Sequence, residues 1–348
     1  MDEHTPEPPA KATEFHTQHL ETARHRTAWI EAGPTDGPLL VFIHGWPELS
    51  IIWRPQIEHF AAAGWRCVAP DMRGYGGSSV PTNAAAYAIR ESVLDMVELH
   101  DALGGAPAVW VGHDWGCPTV WGLASHHPER CRAVINLTVP YFARGFAMPN
   151  FVSLVDRTLY PEDKYPVGQW DYWLWYREHF GEATSQFEAN MEVVAASFFR
   201  RGTSRDVGRQ AVSASVRKEG GWLSAKMQGP KVARDEAMLS QEDYHTILAA
   251  LRVAGFRGAT AWYLNDLDNL AYPNEAPNFG RLTLPVLFLH AAWDQICSTA
   301  HSRLADPMRE DCLNLTEATI EAGHGLMLEA PAAVNQAIAD WLTAHSLH

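Results

Sequence analysis

The sequence predicts an α/β protein: a mostly parallel, doubly wound sheet interrupted by an inserted all-helical segment. Three observations predict it. Short apolar runs recur at 39–43, 65–69, 108–111, 133–137, 285–289 and 313–320, nearly continuous in apolar character. Strands covered by helices on both faces read this way. Helical patterns at 52–63, 87–103, 117–127 and 332–345 alternate with those runs, the signature of a parallel sheet. Between about 141 and 282 the alternation stops. Aromatic-rich helical patterns at 170–180, 186–199, 241–253 and 260–270 succeed one another there, with breaks near Gly202, Gly220 and Gly221. The expected organisation is a sheet core at 15–140 and 283–348 and a helical cap at 141–282. Such a cap would cover the carboxyl ends of the strands, where open sheets hold their ligands.

Residues 1–14, rich in acids and prolines, lack the basic and apolar stretches of a secretory signal and are expected to form a mobile tail. The 27 basic and 41 acidic side chains give a net charge of −14 with no Lys/Arg run. That charge excludes nucleic acid and anionic lipid as partners. The longest apolar stretches, as at 39–43 and 247–251, are far short of the twenty or so residues of a membrane span. Five scattered cysteines without CxxC spacing read as free buried thiols in a reducing, cytoplasmic setting. The histidines offer no good one-face ligand set, so no metal is expected.

Each apolar run leads into a turn that carries chemistry. The run at 39–43 leads into HGWP, residues 44–47, and that at 65–69 into DMRGYGGSS, residues 71–79. The loop at 71–79 is expected to be structural, with Asp71 and Arg73 tying loops together. The run at 108–111 leads into GHDWG, where Gly112 and Gly116 flank Asp114. Small-x-nucleophile-x-small at a strand-to-helix junction is a sharp elbow that exposes a reactive side chain above the sheet. Serine usually occupies it. Asp114 changes the chemistry: a carboxylate is ionised at neutral pH and attacks a saturated, electrophilic carbon without a base to activate it. Taken alone, GHDWG is equally a Gly-Asp turn at a helix start. Asp294 after the run at 285–289 and His324 in EAGHG then follow in the order nucleophile, acid, histidine. In this geometry the backbone N–H groups of Trp46 and Trp115 form an oxyanion hole.

The set HGWPELS, DMRGYGGSS, GHDWG and EAGHG resembles the α/β-hydrolase-fold epoxide hydrolases, from about residue 27 onward. The resemblance implies that Asp114 is the nucleophile, His324 the base and Asp294 its orienting acid. It also implies two cap tyrosines that donate hydrogen bonds to the epoxide oxygen. One is Tyr172, in Trp170-Asp171-Tyr172, and the other Tyr263, closing GFRGATAWY. Tyr176, one helical turn after Tyr172, competes for the first assignment. Leu264-Asn265 departs from the family's usual Arg-Asn. The implied reaction converts a small hydrophobic epoxide and water to a vicinal diol without a cofactor, with Trp46, Trp115, Tyr172 and Tyr263 around the substrate.

Three alternatives stay open. A haloalkane or haloacid dehalogenase shares the aspartate and histidine, with Trp115 available to hold halide, but commonly has Asn after HG or Arg in the elbow. An esterase is disfavoured because GxSxG does not occur. A non-catalytic receptor on the same scaffold has no need of the full residue set. The sequence leaves monomer and homodimer undecided.

Overall fold

A computed structural model describes residues 13–223 and 233–347. The first twelve residues of the expected 1–14 tail therefore lie outside the described residues. One sheet runs through the core in the order β1-β2-β4-β3-β5-β6-β7-β8. β1 (His16–Glu21) and β2 (Arg26–Ala32) form an antiparallel hairpin, and β2 continues antiparallel onto β4. β3 (Leu39–Ile43), β4 (Arg66–Pro70), β5 (Ala108–His113), β6 (Cys131–Leu137), β7 (Val286–Ala291) and β8 (Leu315–Ile320) are parallel.

The chain steps outward from β3 to β4, then returns to the other side of β3 as β5. That reversal makes a crevice above the carboxyl ends of β3 and β5, where open sheets place ligands. HGWP and GHDWG meet there. Every residue of β5 and β7 is buried, in keeping with helices on both faces. The helices α1 (Arg54–Ala62), α2 (Ile89–Ala102) and α3 (Gly116–His126) follow β3, β4 and β5.

The expected run at 313–320 forms a shorter strand that is not covered on both faces. β8 is an edge strand, and Leu315 to Ala318 are partly or fully exposed. The hairpin β1–β2 lies outside the six expected runs; β1 exposes nearly every side chain, so it has no apolar run to read.

Between β6 and β7 the described residues contain helices and turns, without a named strand. The helices are α4 (Met148–Val152), α5 (Asp171–Glu178), α6 (Phe180–Ala189), α7 (Met191–Phe198), α8 (Val216–Glu219), α9 (Gln241–Ala254), α10 (Arg257–Ala261) and α11 (Asp266–Ala271). The single helix expected at 186–199 is interrupted at Asn190, which leaves helical dihedrals (φ −135°, ψ 34°). Its Nδ2 donates to the Gln186 carbonyl at 2.8 Å, terminating α6 from within. The expected helix at 260–270 is likewise broken at Asn265, whose Nδ2 donates to the Ala261 and Ala84 carbonyls at 2.9 and 3.0 Å. The bond to Ala84 ties the helical stretch between β6 and β7 to the segment before α2. After β7 come α12 (Asp306–Asp311), β8, α13 (Leu326–Glu329) and α14 (Pro331–Ala344).

Candidate active site

β5 ends at His113, α3 begins at Gly116, and Asp114 between them has φ +48°. A non-glycine residue in this left-handed region is strained and held by its surroundings. The holding is visible on both sides. A Cβ on Gly116 would lie 2.2 Å from the Ile43 carbonyl oxygen, so α3 starts hard against β3. A Cβ on Gly45 would lie 2.4 Å from Asp114 Oδ1 and 2.7 Å from the Trp115 nitrogen, so the HGWP backbone sits directly on the Asp114 side chain. Trp46 N–H donates to Asp114 Oδ1 at 2.7 Å. Asp114 Oδ1 thus rests on the Trp46 amide.

The other oxygen, Asp114 Oδ2, faces His324 Nε2 at 3.5 Å. His324 Nδ1 meets Asp294 Oδ2 at 2.6 Å. Asp294 Oδ1 is filled by the N–H groups of Ile296 and Cys297, at 2.9 and 3.0 Å. Side-chain exposure separates the three: 35% for His324, 16% for Asp114 and 1% for Asp294. The first two are open to a reactant and the third is sealed. Burial works to raise both carboxyl pKa values, but the nearby His324 outweighs it and holds Asp114 and Asp294 below the usual range. Burial lowers His324, yet the carboxylates of Asp294 and Asp114 raise it well above an ordinary imidazole. The structure brings Asp114, His324 and Asp294 together as one hydrogen-bonded line.

Beneath that line are two residues that sequence reasoning did not single out. Glu48 Oε2 accepts from Gly45 N–H at 2.7 Å and lies 3.1 Å from His113 Nδ1, while His113 Nε2 meets the His324 carbonyl at 2.8 Å. This buried rung joins the HGWP loop, the elbow and the histidine loop. Both residues stood within quoted motifs, HGWPELS and GHDWG, but a motif does not say which of its members touch. In the loop at 71–79, Asp71 accepts from Ser50 and Gly77 N–H, at 3.3 and 2.9 Å. Arg73 pairs instead with buried Asp95.

Tyr172 and Tyr176 from α5, and Tyr263 from the turn after α10, converge on this site from the helices between β6 and β7. Their ring centroids lie 5.6 Å (Tyr172–Tyr263), 4.8 Å (Tyr176–Tyr263) and 5.7 Å (Tyr172–Tyr176) apart. Burial raises all three phenols well above their usual value, and the Asp114 charge adds to the rise, so all remain protonated donors. The Tyr176 oxygen accepts from Trp222 Nε1 at 2.7 Å, and the Tyr263 hydroxyl has the Trp115 indole beside it. Trp46 and Trp115 meet Tyr263 edge-on, at 6.1 and 5.0 Å, and so wall the same space.

Asp294, Cys297 and His324 bring potential ligand atoms within 4.8 Å of one another. The chemistry does not fit a metal. Both Asp294 oxygens are already engaged. The Cys297 thiol is pushed well up by burial and by the Asp294 and Asp114 charges.

A mostly parallel sheet with a strained aspartate at the turn from β5 to α3 defines a class. The chain belongs to the α/β-hydrolase-fold family, whose model matches residues 38–331. Within that family its relatives include epoxide hydrolases. It is 32% identical over 338 residues to epoxide hydrolase A of Mycobacterium tuberculosis, covering 94% of this chain and 97% of that one. It is 34% identical over 320 residues to rat bifunctional epoxide hydrolase 2, covering 91% of this chain and 53% of the relative, so it spans about half the rat protein's length. The crystal structure of epoxide hydrolase A from Mycobacterium thermoresistibile superposes with a TM-score of 0.77 at 29% identity, covering 95% and 98% of the two chains. No helix among the described residues is long and apolar enough to cross a membrane.

Proposed function

We propose that this chain hydrolyses small hydrophobic epoxides to vicinal diols through a covalent ester on Asp114. One observation carries the reading: Asp114 offers one oxygen to the Trp46 amide and the other to His324, beneath the Tyr172 and Tyr263 phenols. Asp114 Oδ2 attacks a ring carbon, the carbon–oxygen bond of the epoxide breaks, and a phenol proton passes to the leaving oxygen. Esterification removes the Asp114 charge, one of the two that hold the His324 pKa up. The imidazolium then releases its proton to solvent, and the neutral imidazole is a competent base. It takes a proton from water as hydroxide adds to the Asp114 carboxyl carbon. Negative charge builds on Oδ1, against the Trp46 and Trp115 N–H groups. Collapse breaks the bond to Oδ2, releases the diol and restores a carboxylate that holds one solvent oxygen. The proton on His324 returns to the phenoxide, and the imidazole regains the proton lost to solvent.

No cofactor takes part in these steps. The division into a core at 15–140 and 283–348 and a cap at 141–282 belongs to this reading, because the nucleophile and base stand on one part and the phenols on the other. Five free, buried cysteines support a cytoplasmic setting.

A single turnover with enzyme in excess, in oxygen-18 water, tests the ester. The first diol is expected almost free of label, and the peptide bearing Asp114 gains about two mass units. A second turnover passes that label to diol. Labelled diol in the first turnover would mean direct attack by water, with Asp114 at best a base. Bromide release from bromoalkanes without diol formation from epoxides would move the chain to the dehalogenase reading.

A further inference from the structure

We infer that Glu329 is a positioning residue for ester hydrolysis, fastening the His324 loop to the cap through one carboxylate oxygen. The inference rests on the triad reading above. His324 sits between β8 and α13, and Glu329 is the last residue of α13. Its Oε2 accepts from Gly323 N–H at 2.7 Å, immediately before the histidine. The same oxygen accepts from Gly202 N–H at 3.0 Å, in the cap segment after α7. The two backbones touch at that point: a Cβ on Gly202 would lie 2.6 Å from Gly323 Cα, and one on Gly323 2.7 Å from Gly202 Cα. Only two glycines allow that approach.

The other oxygen, Oε1, is buried and has no hydrogen-bond partner among the described residues. It would lie 2.8 Å from a Cβ on Gly323 and 3.8 Å from one on Gly325, so it lies along the histidine loop. Glu329 therefore does not serve α13 itself. It spends one oxygen on the junction of two loops and leaves the other against the backbone beside the base. Burial raises its pKa; the amide donors and His324 oppose the rise. Arg201 faces it from the cap segment, itself paired with Asp235 at 3.0 Å. His324 is faced by Glu329, Asp294, Asp114 and the His113 ring.

The consequence falls on the second half-reaction. Ester formation uses Asp114 and the phenols, which do not pass through this junction. Hydrolysis needs His324 at a fixed distance from the ester carbon and stabilised as it becomes imidazolium. Quenched-flow mass spectrometry, counting ester on Asp114, reads the two rates separately. Glu329→Ala should slow hydrolysis about tenfold or more, with ester formation within about threefold of wild type, because base placement dominates only the later step. Glu329→Gln keeps an acceptor oxygen but loses the charge. It should recover most of the hydrolysis rate while moving the acid-side midpoint of hydrolysis to lower pH by about half a unit, since a carboxylate near His324 raises its pKa. Gly202→Ala perturbs the junction from the cap side and should mimic Glu329→Ala with the midpoint unmoved; it reads the inference independently should Glu329→Ala not fold.

Wild-type hydrolysis with an unmoved midpoint in both Glu329 variants overturns the inference, as does equal loss of both half-reactions. His324→Gln is the control on the underlying reading. If no ester accumulates in it, the triad assignment fails and takes this inference with it. Ester accumulating there while the Glu329 variants behave as wild type removes Glu329 alone.

Discussion

Tyr176 accepts a hydrogen bond from the Trp222 indole, whereas the Tyr172 hydroxyl has no hydrogen bond among the described residues. The strongest electrostatic neighbour of the Tyr263 phenol is Tyr172, with Asp114 next. Tyr172 and Tyr263 thus stand as neighbouring phenols beside Asp114, while the Tyr176 oxygen is held in place by the Trp222 indole. Tyr172→Phe and Tyr263→Phe are each expected to slow ester formation by about one to two decades, as loss of a transition-state donor does. Tyr176→Phe should slow it by less than about threefold while costing about 1 kcal/mol of stability through the unpaired Trp222 N–H. Stopped-flow alkylation and thermal melts read both effects. A crippled Tyr176→Phe beside a silent Tyr172→Phe would move the donor one turn along α5. Sequence placed both tyrosines on one helix face but did not show Trp222 reaching back to one of them.

The triad also carries a pH signature. His324 is raised in the fold, so its stabilising contribution is complete below its unfolded pKa of about 6.5 and is lost as pH rises through the folded value. Asp294 is lowered, so its contribution holds above about 3.9 and is lost as pH falls through the folded value. The melting-temperature gap between wild type and His324→Gln is therefore expected to be widest near pH 6 and to shrink steadily toward pH 9. A gap that widens with pH contradicts the ion-pair geometry.

Among the elements, the elbow was legible because its chemistry and its packing reside in the same residues. Gly112 and Gly116 flank Asp114, and the structure shows what the second glycine avoids, a 2.2 Å collision with the Ile43 carbonyl. Gly116→Ala should destabilise the fold by about 1–3 kcal/mol in urea denaturation, the usual range for overpacking. It should slow ester formation as well, since α3 and the Trp115 N–H shift together; a neutral variant would mean that β3 yields more easily than the contact implies. The buried parallel strands were legible for a related reason, because burial on both faces leaves an apolar run. β1 was not, because its side chains face water and no apolar run marks it. The breaks at Asn190 and Asn265 escaped the helical periodicity because each depends on where an amide side chain finds a carbonyl. The Glu48–His113 rung was hidden for the same reason: its partners are 65 residues apart in sequence.

At the scale of the whole molecule, the reaction depends on how the cap sits. Asp114 and His324 stand on loops of the sheet, while Tyr172 and Tyr263 stand on the helices between β6 and β7, so in the proposed reaction phenols and carboxylate keep their spacing only while the two remain seated together. Arg54, in the first turn of α1, fastens the sheet's side to α9. Its Nε donates to Asp243 Oδ1 and Oδ2 at 2.9 and 3.1 Å, and its Nη2 to Oδ1 at 2.8 Å. Asp243 is pre-set for this by Ser240, whose hydroxyl donates to Oδ2 at 2.9 Å and caps α9 through the Asp243 N–H at 3.0 Å. The Arg54 side chain is 29% exposed and that of Asp243 8%. Solvent screening from the arginine side therefore holds the pair to about 1–2 kcal/mol, above a surface bridge and below a sealed one. Asp243→Asn keeps the shape and removes the charge; Arg54→Met keeps the stem and removes the donors. Each is expected to raise KM and slow ester formation by a few-fold, and the double variant should be no worse than either single one, because both break the same bond. Hydrolysis of ester already formed should be unaffected, since the base and its orienting acid stay on the core. That separates this latch from the Glu329 junction, where the later step fails first. Additive losses in the double variant would show that Arg54 and Asp243 act through different neighbours, such as the Phe15 ring that Arg54 covers at 4.8 Å.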